Sequence, residues 1–456
     1  MFCAMMATTS LRFWRPCLLA FYAVAIVQFL VLPTAHSLAF EPTPAAPYAT
    51  KAAVVLNLNA RRVTQEFVSA AEDIVGADNV FATNTTEEND LAMRQIVDRG
   101  YGVIVPGGGD GTLSTVINSL VDTRRAMSVH NTTELPKFAF LPLGTGNAMG
   151  MLVGPRFRAR TKVGLVEKTL SRLMEIIDEC NRSKDGTIPL IKCPMIEVSR
   201  TLGAGNGGGA AKEGVAAAPK LKRELCFFAG SGFDSMMLDD FNVIKRWAKK
   251  RARPIRRFFG SVAGYSVALV ARTLPACLVS GKHRLKVRVT IPKDNSPTYW
   301  MDPRRGDCAT EVGINDCTSN RELFPAKIAP DRKLLFEGRT GIVAAGTTPY
   351  YGGGLKLFPF SRVQPHGMHL RLGRISPFLG FFCIPWIFRG TYRNYNMKCL
   401  DFCGEDFEVE LSDPYPFQHS GEADEAPVSS YRLRVAEEEI EFVDFLKPRL
   451  VLGYDD

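Results

Sequence analysis

The sequence predicts an α/β domain followed by a mostly antiparallel β domain. From Lys51 onward, short apolar runs rich in β-branched residues alternate with segments of helical spacing, which is typical of a parallel sheet with helices on both faces. After about residue 186, strand-like runs follow one another and are joined by turns and loops. A chain of 456 residues is also too long for one ordinary core. We therefore expect domains over residues 51–186 and 187–456, with the last strand returning to the first domain.

Residues 1–50 form a separate region. Arg12 and Arg15 precede Cys17–Leu32, sixteen residues without a charge, and small residues follow Pro33. That order predicts a signal peptide, with a signal anchor as the alternative. The "LAF" that comes next resembles the cleavage site of plastid-targeted proteins in algae with complex plastids. We therefore expect a membrane-associated protein of the secretory route or of a plastid.

The individual elements follow from local patterns. The first domain has the strand-like runs KAAVVLNL, NVFATNTT, YGVIVP and PKFAFLPLG, and the helical segments TQEFVSAAEDIV, NDLAMRQIVDRG and TLSTVINSLVDT. The second has the strand-like runs IPLIKCPMIEVSR, ELCFFAGSGFDS, HRLKVRVTIP, TGIVAAGTTPYYGGG and MHLRLGRI. The glycine- and alanine-rich residues 201–220 and the polar residues 294–321 predict loops.

A glycine-rich loop lies between the third strand and the helix after it. In "VPGGGDGT", from Val105 to Thr112, the glycines let the backbone approach a phosphate, and the amides and dipole of the next helix attract the anion. Asp110 would repel a bare phosphate, so its presence predicts Mg²⁺, bound directly or through water. The structural alternative is a tight turn in which Asp110 caps the helix.

A second glycine loop ends the next strand. It reads "PLGTGNAMG", from Pro142 to Gly150, and two such loops on neighbouring strands could close over one nucleotide. The chain contains no G-x-x-x-x-G-K-[ST], which excludes a Walker-type site. No G-x-G-x-x-G opens the first β-α unit, which argues against a dinucleotide dehydrogenase.

Several motifs, in this order, resemble the diacylglycerol kinase catalytic-domain family. "GGGDGT" is followed about thirty residues later by "PLGTGN", and then by "AGSGFDS", "FFGSVAGYSVALV", "YYGGGLKLFPFSRVQPHGMHLRL" and "HSGEADEAP". The family includes bacterial lipid kinases and sphingosine kinases and is distantly related to NAD kinases and phosphofructokinases. The resemblance implies a three-layer α/β nucleotide domain, a C-terminal antiparallel β-sandwich, and ATP in the cleft between them.

The resemblance also implies roles for individual residues. Glu422 matches the glutamate that acts as general base, and Asp110 matches the acid near Mg²⁺. A base suits the chemistry, because a lipid hydroxyl is a poor nucleophile near neutral pH until a carboxylate accepts its proton. The residues implied to contact the nucleotide are Asn57, Thr83, Gly107, Gly108, Gly109, Asp110, Gly111, Thr112, Gly144, Thr145, Gly146 and Asn147.

Four residues depart from the family pattern. Ser420 replaces the aspartate of "DGE", His366 that of the earlier "P…DG" pattern, and Ala148 that of "GTxND", while Thr115 stands where many members have glutamate. These departures bear on Mg²⁺ coordination and on the choice of substrate. They keep a non-catalytic relative as an alternative.

Two segments predict contact with lipid. Lys245–Arg257 has eight basic residues in thirteen, no acid and one tryptophan, which suits an anionic membrane; a solvated basic helix is the alternative. The net charge of +9 also favours nucleic acid, but no nucleic-acid-binding fold accompanies it. Ile375–Gly390 is too interrupted by prolines for a transmembrane helix. We expect it to pack in the core, with a lipid-access surface at Phe381 and Phe382 as the alternative.

The leading hypothesis is therefore an ATP- and Mg²⁺-dependent lipid kinase that acts on a hydroxyl of diacylglycerol, a sphingoid base or a related lipid. The alternatives are an NAD-kinase-like kinase of a soluble molecule and a non-catalytic nucleotide- or lipid-binding relative. Eleven cysteines without zinc spacing predict free or buried thiols. The sequence does not indicate an oligomeric state.

Overall fold

The computed structural model describes most of the chain between residues 51 and 445. The residues left out within this range are 60–62, 128–134, 145–146, 156–158, 183–186, 203–220, 253–254, 256–257, 260–261, 281–283, 294–296, 302–308, 312–327, 353, 390–391, 393–397 and 425. The predicted signal or anchor segment and its linker lie outside the described residues, as do most of the two predicted loops.

Helices cover both faces of a parallel sheet in the first domain. Its strands are β1 (Ala52–Asn57), β2 (Val80–Thr83), β3 (Val103–Gly108), β4 (Lys137–Phe138) and β5 (Leu141–Pro142). Its helices are α1 (Gln65–Val75), α2 (Thr86–Asp98), α3 (Asp110–Ala126), α4 (Ala148–Val153) and α5 (Lys162–Arg182), with a 3₁₀ turn at Ala77–Asn79. The strand order is β2-β1-β3-β4, and β5 also pairs with β3.

Two apolar cores flank this sheet. One joins the sheet to α2 and α3 and contains Val55 of β1, whereas the other joins it to α1 and α5 and contains Val54. Successive side chains of a strand point to opposite faces, so an unbroken apolar run such as that of β1 supplies both cores. The three-layer α/β architecture is therefore confirmed.

The second domain is mostly antiparallel. Its strands are β6 (Leu190–Leu202), β7 (Leu221–Cys226), β8 (Phe228–Gly232), β9 (Leu285–Pro292), β10 (Tyr299–Met301), β11 (Ala309–Glu311), β12 (Arg332–Thr340), β13 (Ile342–Gly346), β14 (Met368–Gly373), β15 (Cys399–Gly404), β16 (Asp406–Tyr415), β17 (Phe417–His419), β18 (Glu422–Ala423) and β19 (Val428–Val443). Its helices are α6 (Phe233–Lys249), α7 (Val262–Ala268), α8 (Leu274–Ser280) and α9 (Pro377–Arg389), with a π-helical turn at Leu269–Thr273.

The strands of this domain form two facing sheets. One has the order β11-β10-β15-β14-β13-β8-β17-β18, and the other contains β6, β7, β9, β12, β16 and β19. A single apolar core lies between them, with Val287 and Val289 on one side and Leu370, Leu372 and Phe417 on the other. The predicted β-sandwich is therefore confirmed.

The last strand joins the two domains. β19 pairs antiparallel with β6 and β16, and its Phe442 pairs in parallel with Phe138 of β4. The ring of Phe442 lies 6.0 Å from that of Phe138 and 6.1 Å from that of Phe227. One sheet therefore runs through both domains in the order β12-β9-β16-β19-β4-β3-β1-β2.

One segment differs from its expected role. The stretch expected to pack in the core forms α9, with Pro385 inside the helix. Only part of α9 is covered: Ile387 packs against the core beside α3, whereas Leu379, Phe382 and Trp386 are exposed. A helix on the outside of a domain can bury only one of its faces, so core packing was wrong for the other face. Among the described residues, no helix is long and apolar enough to cross a membrane.

Candidate active site

Several predicted nucleotide-binding residues lie at the carboxyl edge of the parallel sheet. Asn57 ends β1 and lies opposite Thr83, which ends β2. Gly107 and Gly108 end β3 on the other side of β1. The carboxyl ends of parallel strands are where α/β sheets bind ligands. Thr145 and Gly146 of the second loop, also predicted to bind nucleotide, lie outside the described residues.

The two glycine loops touch each other. The carbonyl of Gly108 accepts hydrogen bonds from the amides of Leu143 and Gly144, both at 2.8 Å. A Cβ placed on Gly144 would lie 3.0 Å from the amide nitrogen of Gly109 and closer still to its Cα. Side chains at these positions would push the loops apart, so the close contact requires glycine.

Asp110 connects the first loop to the helix of the second. Its carboxylate accepts hydrogen bonds from the amides of Ala148, at 2.7 Å, and Met149, at 3.0 Å, which begin α4. The side chain is buried, and burial raises its pKa to about 6 although these two hydrogen bonds oppose the shift. Asp110 therefore caps α4, not its own helix α3, whose N-cap is Gly109.

The N-terminus of α3 is suited to an anion. Gly109, the N-cap residue, has no side chain, so it does not itself satisfy the amides of the first turn. α3 has seventeen residues, and its dipole adds to the attraction of a phosphate. Thr112 lies in this turn, with its side chain packed over Gly108.

Asn147 shapes the second loop. It has the left-handed φ of 39°, and its Nδ2 donates to the carbonyls of Pro142, at 2.9 Å, and Gly144, at 3.0 Å. Its Oδ1 is buried and accepts no hydrogen bond from the described residues. Lys162, which the sequence did not single out, donates from Nζ to the carbonyl of Leu143 at 3.3 Å.

Glu422 lies over the first turn of α3, although more than three hundred residues separate them in the sequence. A Cβ placed on Gly111 would lie 2.8 Å from Cδ of Glu422 and closer still to its Oε1. The carboxylate is exposed and follows the turn of the β17–β18 hairpin. The fold thus brings the predicted base to the predicted phosphate loop.

The turn that presents Glu422 depends on Ser420. Ser420 and Gly421 both have positive φ angles, of 45° and 82°, as a two-residue type I′ hairpin turn requires. The amide of Ser420 donates to the carbonyl of Phe228 at 2.9 Å, and its Oγ accepts from the amide of Phe227 at 3.3 Å. The residue that departs from the family pattern is therefore buried and fixes the turn.

A buried ionic cluster supports the same hairpin. Arg200 of β6 is 1% exposed, and its guanidinium donates to Asp424 at 2.7 Å and to Glu224 at 2.9 Å. His419 lies 3.3 Å from Asp424, and the guanidinium of Arg200 stacks over Phe417 at 5.5 Å. These contacts hold both strands of the hairpin against β6.

The family profile described as diacylglycerol kinase catalytic domain matches residues 51–178. Residues 51–178 are therefore similar to the catalytic domain of that family. The match contains both glycine loops, Asp110 and Lys162, whereas Glu422 lies outside it. The similarity therefore covers most of the first domain.

Three solved structures that match the chain have low sequence identity and TM-scores below 0.5. A candidate diacylglycerol kinase from Bacillus anthracis is 11% identical, with a TM-score of 0.49, over 90% of this chain and 99% of that one. A diacylglycerol kinase from the same organism is 10% identical, with a TM-score of 0.45, over 88% and 97%. An NAD kinase from Archaeoglobus fulgidus, in complex with ATP, is 12% identical, with a TM-score of 0.34, over 88% and 96%. None of the curated proteins compared matches the chain.

A second acid, half-buried, ties α6 to the hairpin. Asp234 accepts hydrogen bonds from Tyr351 and from Nε2 of Gln418, the latter at 2.5 Å. Burial raises the pKa of Asp234. Asp234 belongs to the "GFDS" motif, but no role was predicted for it. A single acid in an apolar, glycine-rich run was the available signal.

The protein alone does not form a metal cluster in the part of the chain that the structure describes: no three His, Cys, Asp or Glu side chains come together there. Mg²⁺ in nucleotide sites is commonly held by one or two carboxylates, with phosphates and waters completing its shell. Each oxygen of Asp110 uses one lone pair for an amide, so one remains. The residues present therefore fit a magnesium ion that arrives with a nucleotide.

Proposed function

We propose that this protein is an ATP-dependent lipid kinase that transfers the γ-phosphoryl group to a lipid hydroxyl, such as that of diacylglycerol or a sphingoid base. The observation that carries the proposal is the position of the Glu422 carboxylate over Gly111, at the N-terminus of α3. It supplies a base beside the anion-binding end of a kinase-family domain.

The nucleotide would bind along the two loops. The phosphates would lie at the first turn of α3, where amides and the helix dipole attract negative charge. Lys162 places a cation at the edge of the second loop, and Oδ1 of Asn147 offers an acceptor to a hydroxyl or amino group of the nucleotide. Asn57 and Thr83 extend the site along the sheet edge.

In the transfer, Glu422 accepts the proton of the lipid hydroxyl as its oxygen forms a bond to the γ-phosphorus. The bond from this phosphorus to the bridging oxygen of ADP breaks, and ADP leaves with that oxygen. The chain's own contribution is mainly positioning and electrostatic, as is usual for phosphoryl transfer. Mg²⁺, held by Asp110 directly or through water, would neutralise phosphate charge when bound.

The decisive experiment supplies labelled ATP and Mg²⁺ to the purified protein with a panel of lipids and with NAD. We expect label in a lipid that is extracted into organic solvent. Label on NAD would instead identify a small-molecule kinase. Nucleotide binding without any labelled product would identify a non-catalytic relative.

Substitution of Glu422 tests its role. Glu422→Gln keeps size and hydrogen bonding but cannot accept the proton, so the rate of transfer should fall by about 10² to 10⁴ with nucleotide affinity unchanged. Glu437→Gln, an exposed glutamate of β19, is the matched control and should leave the rate unchanged. Full activity of Glu422→Gln would show that another group is the base.

The N-terminal segment remains a prediction. We propose that it directs the protein to a membrane, by the secretory route or into a plastid, where the lipid acceptor is present. A C-terminally tagged fusion observed by microscopy checks this. A fusion distributed evenly through the cytoplasm would contradict it.

A further inference from the structure

The outer helices of the second domain carry apolar side chains on their exposed side. α9 exposes Leu379 (48%), Phe382 (55%) and Trp386 (53%), and their spacing of three and four residues puts them on one helical face. α8, which contacts α9, exposes Leu278 (77%) and Val279 (90%). An outer helix normally exposes its polar face, so a continuous apolar face marks an interaction surface.

The charge of the same region has one sign. Phe241–Lys293 contains fourteen Lys and Arg and no Asp or Glu, and Gly338–Leu400 contains eight Lys and Arg and again no acid. Of these, Arg288 and Arg371 are buried on strands and paired with Glu337 and Asp401, so they do not add to the surface charge. These two segments include α7, α8, α9 and the C-terminal half of α6. At the end of α6, Arg246, Lys249 and Lys250 are exposed.

Of the three acids of α6, Asp239 and Asp240 lie nearest to its basic end. The carboxylate of Asp240 is already paired within the protein, because it accepts hydrogen bonds from Nε of Arg272 and from Thr273, both at 2.8 Å. Asp239 is exposed, but it lies about two helical turns before Arg246. The basic end of α6 and the apolar faces of α8 and α9 therefore have no acid within their own segments.

We propose that α8, α9 and the C-terminal turn of α6 form a surface that docks on an anionic lipid membrane. The apolar side chains would enter the interface while the Lys and Arg side chains contact lipid phosphates, as in other interfacial helices. A second copy of the chain would present the same positive charge, so electrostatic repulsion opposes self-association through this surface.

The docking surface lies on the same domain as the hairpin that carries Glu422. The docking proposal rests on the proposed function, because an enzyme with a membrane-bound acceptor needs such a surface. Ala423, the neighbour of Glu422, packs against Leu238 and Phe241 of α6. Docking through these helices would therefore bring the bilayer close to the base.

The test measures co-sedimentation of the full chain with phosphatidylcholine vesicles, with and without phosphatidylglycerol, in the absence of ATP. The wild type should bind the anionic vesicles more tightly. Leu278→Glu with Val279→Glu, and separately Phe382→Glu with Trp386→Glu, should weaken binding at least about tenfold. Arg246→Glu with Lys249→Glu should remove the preference for phosphatidylglycerol.

Matched controls lie on the first domain. Leu91→Glu replaces a leucine of α2 that is 57% exposed, and Arg182→Glu replaces an exposed arginine of α5; neither should change vesicle binding. Residues 1–50 are the same in every variant and so cannot produce a difference between them. Leu278 and Val279 are the most exposed of the substituted residues, so the Leu278→Glu, Val279→Glu variant should keep the thermal midpoint of the wild type. If another variant unfolds, vesicle binding by this variant decides whether the surface docks.

Three results would overturn the docking surface: equal binding by all variants, no binding by the wild type, or a change in oligomeric mass that accounts for the loss of binding. The kinase proposal fails separately. A wild type that docks through these residues but phosphorylates no lipid refutes only the proposed function. A wild type that phosphorylates detergent-dispersed lipid, with docking unaffected by the substitutions, refutes only the surface.

Discussion

Asp110 places a buried carboxylate in a loop that otherwise consists of glycines and a threonine. From the sequence, a cation between this acid and a phosphate was the reason for its presence. The structure supplies another: the carboxylate accepts the two amides that begin α4 and so fixes one loop to the other. This role could not be predicted, since a cap normally belongs to the helix that follows it in sequence.

Asp110 should make stability depend on pH. Its folded pKa of about 6 lies above the ordinary value of 3.8, because burial disfavours the charge. Its contribution to stability is therefore full below pH 4 and is lost as the pH rises through 6, by up to about 3 kcal/mol. Asp110→Asn cannot titrate. The unfolding free energy of the wild type, measured relative to that of this variant, should therefore fall between pH 4 and 7. A difference that stays constant over this range would contradict the assignment.

Gly111 should separate activity from stability. Alanine is favoured over glycine inside a helix by about 1 kcal/mol, and Gly111 lies in the first turn of α3. Its Cβ would, however, displace the flexible carboxylate of Glu422. We expect Gly111→Ala to keep or raise the thermal midpoint while the rate of transfer falls at least about tenfold.

Gly164→Ala is the control for this change. Gly164 lies in the first turn of α5, where the nearest atom to an added Cβ is Thr161 Oγ1 at 3.2 Å, away from Glu422. It should leave activity unchanged. If Gly111→Ala were as active as Gly164→Ala, the position of Glu422 over α3 would be irrelevant to the reaction.

At the scale of elements, the β17–β18 hairpin brings Glu422, which is distant in sequence from the glycine loops, into the candidate site. Its turn requires two positive φ angles, and Ser420 accepts this conformation because backbone groups of Phe227 and Phe228 bind it on both sides. The departure from an aspartate at this position thus has a structural explanation: the side chain is 1% exposed and hydrogen-bonded to an amide.

The ionic cluster under the hairpin gives a prediction for stability. Arg200→Met would remove the buried cation that pairs with Asp424 and Glu224, so the unfolding free energy should fall by about 3–5 kcal/mol. Arg200→Met combined with Asp424→Leu should recover part of this loss, because the uncompensated charge is removed with its partner. Chemical denaturation of the single and double variants measures both.

A surface ion pair serves as the comparison for this cluster. Arg172 pairs with Glu175 on α5, where Glu175 is 60% exposed, so Arg172→Met should cost less than about 1 kcal/mol. An Arg200→Met variant as stable as Arg172→Met would mean that the buried cluster contributes little to holding the hairpin.

At the scale of the whole molecule, β19 makes one folding unit of two predicted domains. Its ladder with β6 and β16 continues into the pairing with β4, so the parallel sheet loses a neighbour if the last strand is absent. An unpaired edge of this kind is prone to aggregation. The first domain therefore depends on residues near the end of the described chain.

Phe442 tests this coupling. It is fully buried between Phe138 and Phe227, so Phe442→Ala should lower the unfolding free energy by about 3–5 kcal/mol. Probes placed in either domain should report the same lowered transition. Leu91→Ala, at an exposed site, should change stability by less than about 1 kcal/mol. Two separate transitions in Phe442→Ala would show that the domains unfold independently.

The sequence by itself determined the alternation of strands and helices and the two glycine loops, whereas the role of Glu422 was implied by the family resemblance. These features are local: side-chain periodicity and glycine content act within a few residues of each other and are visible without a fold. Tertiary structure decided what each one touches. Asp110 binds α4, Glu422 lies over Gly111, and α9 turns an apolar face outward, since each depends on packing between segments far apart in the chain.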